Sequence, residues 1–128
     1  MGYSRTSLND VERRSRSPDE PAVCALGCEI RDRGEPRPEK LWFNCSHYEK
    51  GEAVRRHRQR EQEELLFVVK GRVKADIDGE TFTIETGDLL VIDPESWRQV
   101  TAITPAEIFA FGAPNVVDDH IFEDEVGP

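Results

Sequence analysis

The 128-residue chain lacks any excess of positive charge. Its 17 lysines and arginines face 26 aspartates and glutamates, a formal net charge of -9. Such a surface repels phosphate backbones and anionic lipid, so neither nucleic acid nor membrane is expected as a partner. No apolar run approaches the roughly 20 residues needed to cross a bilayer. The first twenty residues lack the apolar core of a signal peptide. Cysteine is scarce and odd in number: Cys24, Cys28 and Cys45. A disulfide framework is therefore not expected, and reduced thiols in a cytoplasm are. Cys24 and Cys28 are spaced three residues apart with no second pair, which argues against a structural zinc site. There is no glycine-rich phosphate loop and no nucleophile motif. Histidine occurs only three times, at His47, His57 and His120.

What remains reads as one domain with one core. Residues 1–38 read as an N-terminal arm and edge segment. Its first twenty residues mix charge with serine and proline and look mobile or loosely docked. PAVCALGCEI, residues 21–30, is apolar enough to pack as an edge strand, and RDRGEPRPEK is a proline-rich loop. Residues 39–113 carry short strand-like runs with turn signals between them: LWFNCSHY, ELLFVVK, RVKADI, ETFTIE, LLVI, QVTAIT and EIFAFGAP. Gly71 breaks or bends the first long pair, and Asp78-Gly79 is a strong hairpin signal. This rhythm predicts an all-β fold, an antiparallel sandwich or barrel. Residues 114–128 form an acidic tail without a basic residue, expected to be a solvated end.

Two segments carry a further pattern. Gly51 is followed after five residues by His57, then Arg58, Gln59, four residues, Glu64, six residues and Gly71. Gly87 is followed after five residues by Asp93, Pro94, Glu95, two residues and Arg98. The chain thus resembles the cupin superfamily over about residues 41–112. That family's motifs run G-x5-H-x-H-x(3,4)-E-x6-G and G-x5-P-x-G-x2-H. The resemblance implies a small antiparallel jelly-roll barrel, RmlC-like, and a homodimer formed through sheet edges or strand exchange, with residues 21–30 a candidate for the exchanged strand. In metal-binding members three histidines and a glutamate hold a divalent ion. The matching residues here are His57, Gln59, Glu64 and Arg98, a degenerate set.

Strand alternation places His57 and Gln59 on one face and Arg56, Arg58 and Arg60 on the other. His57 and Glu64 are good ligands for a divalent transition metal and Gln59 a weak one. Arg98 cannot ligate, because guanidinium has no acceptor and keeps its charge. A metal site, if present, would use His57, Gln59 and Glu64. Cys45 and His47 share a face and could join His57 and Glu64 if that face is the interior; the plainer reading is a small buried cysteine and a strand-end histidine. The preferred reading is a barrel without cofactor. In it Arg98 neutralises Glu64, Gln59 and His57 complete the network, and guanidinium donors remain for an anionic small molecule such as a carboxylate or phosphate. A closed network that binds nothing is the bland version of the same reading. Trp97 is a candidate to cap the mouth and stack on a planar ligand, or simply a packing residue. Glu61 and Glu63 read as a solvated strand end. The competing functions are a small-molecule binding module, a metal-dependent dioxygenase or isomerase using His57 and Glu64, and a metal-free epimerase with His57 as general base.

Overall fold

In the computed structural model the described residues are 2–15, 17–24, 26 and 36–126. Among them the regular structure is strand, with two short 3₁₀ turns at Leu8–Asp10 and Glu123–Glu125. The strands are β1 (Arg13–Arg14), β2 (Ala22–Cys24), β3 (Trp42–Tyr48), β4 (His57–Gln59), β5 (Glu63–Lys70), β6 (Arg72–Ile77), β7 (Glu80–Glu85), β8 (Leu89–Ile92), β9 (Arg98–Ala102), β10 (Ala106–Ala113) and β11 (His120–Phe122). They form two antiparallel sheets, ordered β1-β2-β3-β10-β5-β8 and β11-β4-β9-β6-β7. The strand rhythm predicts such an antiparallel all-β fold, and the arrangement is the jelly roll that the resemblance implies. No described helix is long and apolar enough to cross a membrane.

The turns fall where the sequence marks them. Asp78 and Gly79 both take positive φ, 53° and 90°, which is the backbone of a two-residue type I′ hairpin between β6 and β7. Gly71 sits between β5 and β6 at φ 91°, and a β carbon there would overlap the carbonyl oxygen of Pro105. Only glycine meets both demands.

Alternation within the strands builds the core. Leu66 and Val68 of β5, Ile108 of β10 and Ile92 of β8 point inward from one sheet, and Val73, Ala75, Ile84, Val100 and Ala102 from the other. Tyr48 of β3 closes this cluster. A second, separate cluster lies on the outer side of the first sheet: Val11, Cys24, Leu26 and Cys45, with Leu8, Phe43 and Phe109 against them.

Both chain ends pack on the body, and the tail differs from expectation. The arm is docked: Leu8 and Val11 cover Phe43, Cys45 and Phe109, and Ala22–Cys24 pairs with β3 of the same chain. The expected strand within residues 21–30 is present at Ala22–Cys24, but it is not the edge, because β1 pairs on its outer side; residues 25 and 27–30, Cys28 among them, lie outside the described set. The tail is not a solvated end. His120–Phe122 adds as β11 to β4, and Asp119 is buried. Its acidic run finds basic partners far back in sequence: Arg55 pairs with Asp124 at 2.5 Å and Glu125 at 3.1 Å, and Arg56 with Glu123 at 2.8 Å.

Candidate functional site

β4 and β9 meet where His57 and Arg98 are direct cross-strand partners. β5 lies across the barrel and supplies Glu64 at its entry. Alternation on these three short strands turns His57, Gln59, Glu64 and Arg98 into the interior, where their exposures are 8%, 0%, 7% and 2%. The four motif positions thus share one polar end of an otherwise apolar barrel.

The Arg98–Glu64 pair that charge balance demands is present, with Arg98 Nη1 at 3.4 Å from Glu64 Oε1. The pair is long, and burial dominates its electrostatics. Burial raises the Glu64 carboxyl above its ordinary range, with Arg98 pulling the other way. Burial likewise lowers the Arg98 guanidinium, opposed by Glu64. The rest of Arg98 differs from expectation. Its Nη2 donates to the carbonyls of Asp93 at 2.8 Å, Pro94 at 2.9 Å and Ser96 at 2.9 Å, and Nε donates to Ser96 at 3.1 Å. The guanidinium therefore clamps the 93–96 turn and leaves only Nη1 to the barrel. The expected surplus of donors for an anion is mostly spent on this turn. The contacts are local: the carbonyls of Asp93, Pro94 and Ser96 converge on the side chain that follows them.

Gln59 also departs from the closed network. It is fully buried, its backbone N–H donates to Pro94 at 2.9 Å, but neither Nε2 nor Oε1 of its side chain meets a hydrogen-bond partner. His57 is oriented from behind, with Nδ1 2.8 Å from the carbonyl of Arg55. A carbonyl only accepts, so Nδ1 carries a proton. The ring packs against His120 and Phe122 of the tail at centroid distances of 5.4 and 5.9 Å.

Cys45 and His47 do not converge with His57 and Glu64. They do share a face, but it is the outer one, under the arm. Residues of opposite parity on β3, with Tyr48 the most buried, face the interior. LWFNCSHY is apolar on both sides, so alternation fixes the grouping without fixing which group is inside. Tyr48 is the interior residue that the sequence reading missed; burial first, then Glu64, pushes its phenol upward. Trp97 does not join the four either. Its ring lies 5.2 Å from the Arg58 guanidinium and its backbone N–H donates to Asp78 Oδ1 at 2.8 Å. The outward arginines behave as alternation predicts: Arg56 reaches Asp76 and Glu123, and Arg60 the carbonyl of Asp118. In the expected solvated run, Glu61 and Glu63 are exposed, while Gln62 is buried and holds Trp42 Nε1 through Oε1 at 2.8 Å.

A divalent ion, which some relatives of this fold carry, fits these residues poorly. Among the described residues no group of three histidine, cysteine or acidic side chains is placed to hold one. More tellingly, the carboxylate an ion would use already faces the fixed positive charge of Arg98.

Solved structures with the same strand arrangement are numerous. An RmlC-like cupin from Shewanella frigidimarina is 15% identical and superposes with a TM-score of 0.72 over 88% of this chain and 92% of its own. A sugar phosphate isomerase of the cupin superfamily from Silicibacter pomeroyi is 19% identical, with a TM-score of 0.73 over 98% and 96%. Streptomyces PAC13, solved with uridine, is 14% identical, with a TM-score of 0.75 over 95% and 91%. At these identities the likeness is one of fold. No curated protein matches the chain. Residues 45–112, however, match the cupin domain across both motif segments. The chain belongs to the cupin family.

Proposed function

We propose that this cupin is a cytoplasmic, metal-free small-molecule binding protein whose ligand meets Gln59, His57 and the Nη1 edge of Arg98 inside the barrel. The observation that carries this reading is the Gln59 amide. A buried donor and acceptor without partners cost about 1–3 kcal/mol each, and such groups persist where something else satisfies them. Buried on the same interior are the His57 ring and a donor, Arg98 Nη1. A ligand with adjacent donor and acceptor atoms and at most one negative charge suits this edge. Arg98 itself serves chiefly as a structural cation: it neutralises Glu64 and holds the 93–96 turn that carries the backbone partner of Gln59.

The odd and low cysteine count supports the cytoplasmic part of the reading. Association as a homodimer belongs to it too. Edge strand β8 presents Leu89 and Val91 at 62% and 63% exposure, an uncharged strip on a chain of net charge -9.

Two substitutions and a metal assay test the proposal. Arg98→Leu leaves Glu64 buried and unpaired and should destabilise the fold by about 3–5 kcal/mol. Gln59→Leu removes two unsatisfied groups and should leave melting unchanged or raise it, while abolishing the thermal shift that nucleosides, sugars or monocarboxylates produce in the parent protein. Equal melting losses for the two variants would contradict the assignment. Stoichiometric iron, nickel, manganese or zinc that disappears with His57→Ala would replace it with the metal-dependent alternative, an isomerase or dioxygenase using His57 and Glu64.

A further inference from the structure

Outside the barrel, three reactive side chains that the proposed function does not use lie together beneath the arm. Cys24 of β2 and Cys45 of β3 are direct cross-strand partners, and both are fully buried and free. Direct antiparallel partners hold their Cα atoms about 4.5–5.5 Å apart with side chains on one face. That lies inside the Cα separation that disulfides span, about 4.4–6.8 Å. His47, on the same face of β3, places Nε2 3.6 Å from Cys24 Sγ. On its other side, Nδ1 lies 3.4 Å from Glu107 Oε1, an ion-pair distance rather than a well-formed hydrogen bond. The arrangement is a thiol, a base beside it, a carboxylate behind the base, and a second thiol in register.

We propose that Cys24 and Cys45 form a reversible, peroxide-driven disulfide, with His47 as the base that activates Cys24. His47 takes the Cys24 proton, and the thiolate attacks one oxygen of hydrogen peroxide. The O–O bond breaks, leaving Cys24 as a sulfenic acid, and the departing hydroxide takes the proton from His47 to become water. The Cys45 sulfur then attacks the Cys24 sulfur. The sulfenic hydroxyl leaves with the Cys45 proton as a second water, and an S–S bond joins β2 to β3. Two thiols lose two electrons and one peroxide gains them.

The surroundings assign the order of events. Burial, reinforced by Glu107 and Cys24, pushes the Cys45 thiol up to about 11, so it stays protonated and acts second. Burial, with Arg13, lowers His47 below its ordinary value, which keeps its ring neutral and able to accept a proton at neutral pH. Access comes from two features. A cavity of about 440 Å³ is lined by Arg13, Ala22, His47 and Glu107, among others, and so reaches the base from outside. The sulfurs lie under Leu8 and Val11 of the arm, whose only described strand beside β2 is the two-residue β1, so local opening of the arm exposes them. The bond would fasten the arm covalently to the barrel without touching the interior site.

The test is oxidation of the full chain by graded hydrogen peroxide, followed by non-reducing peptide mapping. The expected product is one intramolecular link joining the Cys24 and Cys45 peptides, reversed by dithiothreitol, with a higher melting temperature than the reduced protein. His47→Gln should slow its formation about tenfold at neutral pH, with the difference closing at high pH, where the thiol ionises unaided. Cys28→Ser should change neither the link nor its rate. A link through Cys28, a link between chains, sulfinic acid without a link, or an oxidation rate indifferent to His47 would each overturn the proposal.

Discussion

The two ends of the chain dock on opposite sheets by opposite physics. The N-terminal arm buries carbon: Leu8, Val11 and Leu26 cover Phe43, Phe109 and two cysteines. The C-terminal tail buries a carboxylate and exposes salt bridges: Asp119 accepts from the backbone N–H groups of Glu61 and Gln62 at 3.0 and 2.9 Å, while Asp124, Glu125 and Glu123 meet Arg55 and Arg56 at the surface. The lesson is that charge-rich termini need not be solvated; what decides is whether counter-charges and free N–H groups wait on the body. It follows that salt and acid should loosen one end and spare the other.

The largest effect belongs to Asp119. Burial works against its charge, but the N–H groups of Gln62, Glu61 and Arg60 outweigh burial and hold its carboxyl below the ordinary value. Asp119→Ala leaves the N–H groups of Glu61 and Gln62 unpaired and should cost about 2–3 kcal/mol, read as a loss of denaturant midpoint. The same depressed value fixes the acid behaviour. Stability from Asp119 is complete above the unfolded carboxyl pKa of about 4 and is lost as pH falls through its lower folded value. Hydrogen exchange in β11 should therefore quicken below about pH 4, while exchange in β2 stays slow. Glu64 acts with opposite sign, since a raised carboxyl favours the folded state as it protonates.

Next in size is the apolar end. Val11→Ala should cost about 1–2 kcal/mol by calorimetry, unchanged between low and high salt. A marked salt dependence would erase the contrast drawn between the two ends. The smallest effect is that of Arg55→Ala, a slight melting shift that disappears at 1 M salt, because its partners are exposed and screened.

The barrel itself was legible in the sequence because its signals are local or rigidly spaced. Asp78-Gly79 announces its hairpin, Gly71 the break between β5 and β6, and the Gly51-to-Gly71 spacing its motif. The inward set of His57, Gln59, Glu64 and Arg98 was legible for the same reason, as was the need for Arg98 to face Glu64. What escaped depends on distance or on direction. The partners of the tail lie far back in sequence, from 54 residues for Gln62 and Val116 to 67 for Arg56 and Glu123. The inward choice of Tyr48 over Cys45 and His47 is a decision between two apolar faces of one strand. The grip of Arg98 on the 93–96 turn depends on carbonyl directions, and carbonyl directions leave no mark in side-chain identity.

Gly112 shows how far a single clearance can reach. Its cross-strand partner is Trp42, whose indole lies where a β carbon at position 112 would stand. The same indole donates to Gln62, whose side chain holds the carbonyl of Val116 and whose backbone N–H is fixed by Asp119. Any side chain at 112 would push the indole, the indole would push Gln62, and the anchorage of the tail would shift with it. A missing methyl group in one sheet is thereby a spacer for a strand in the other.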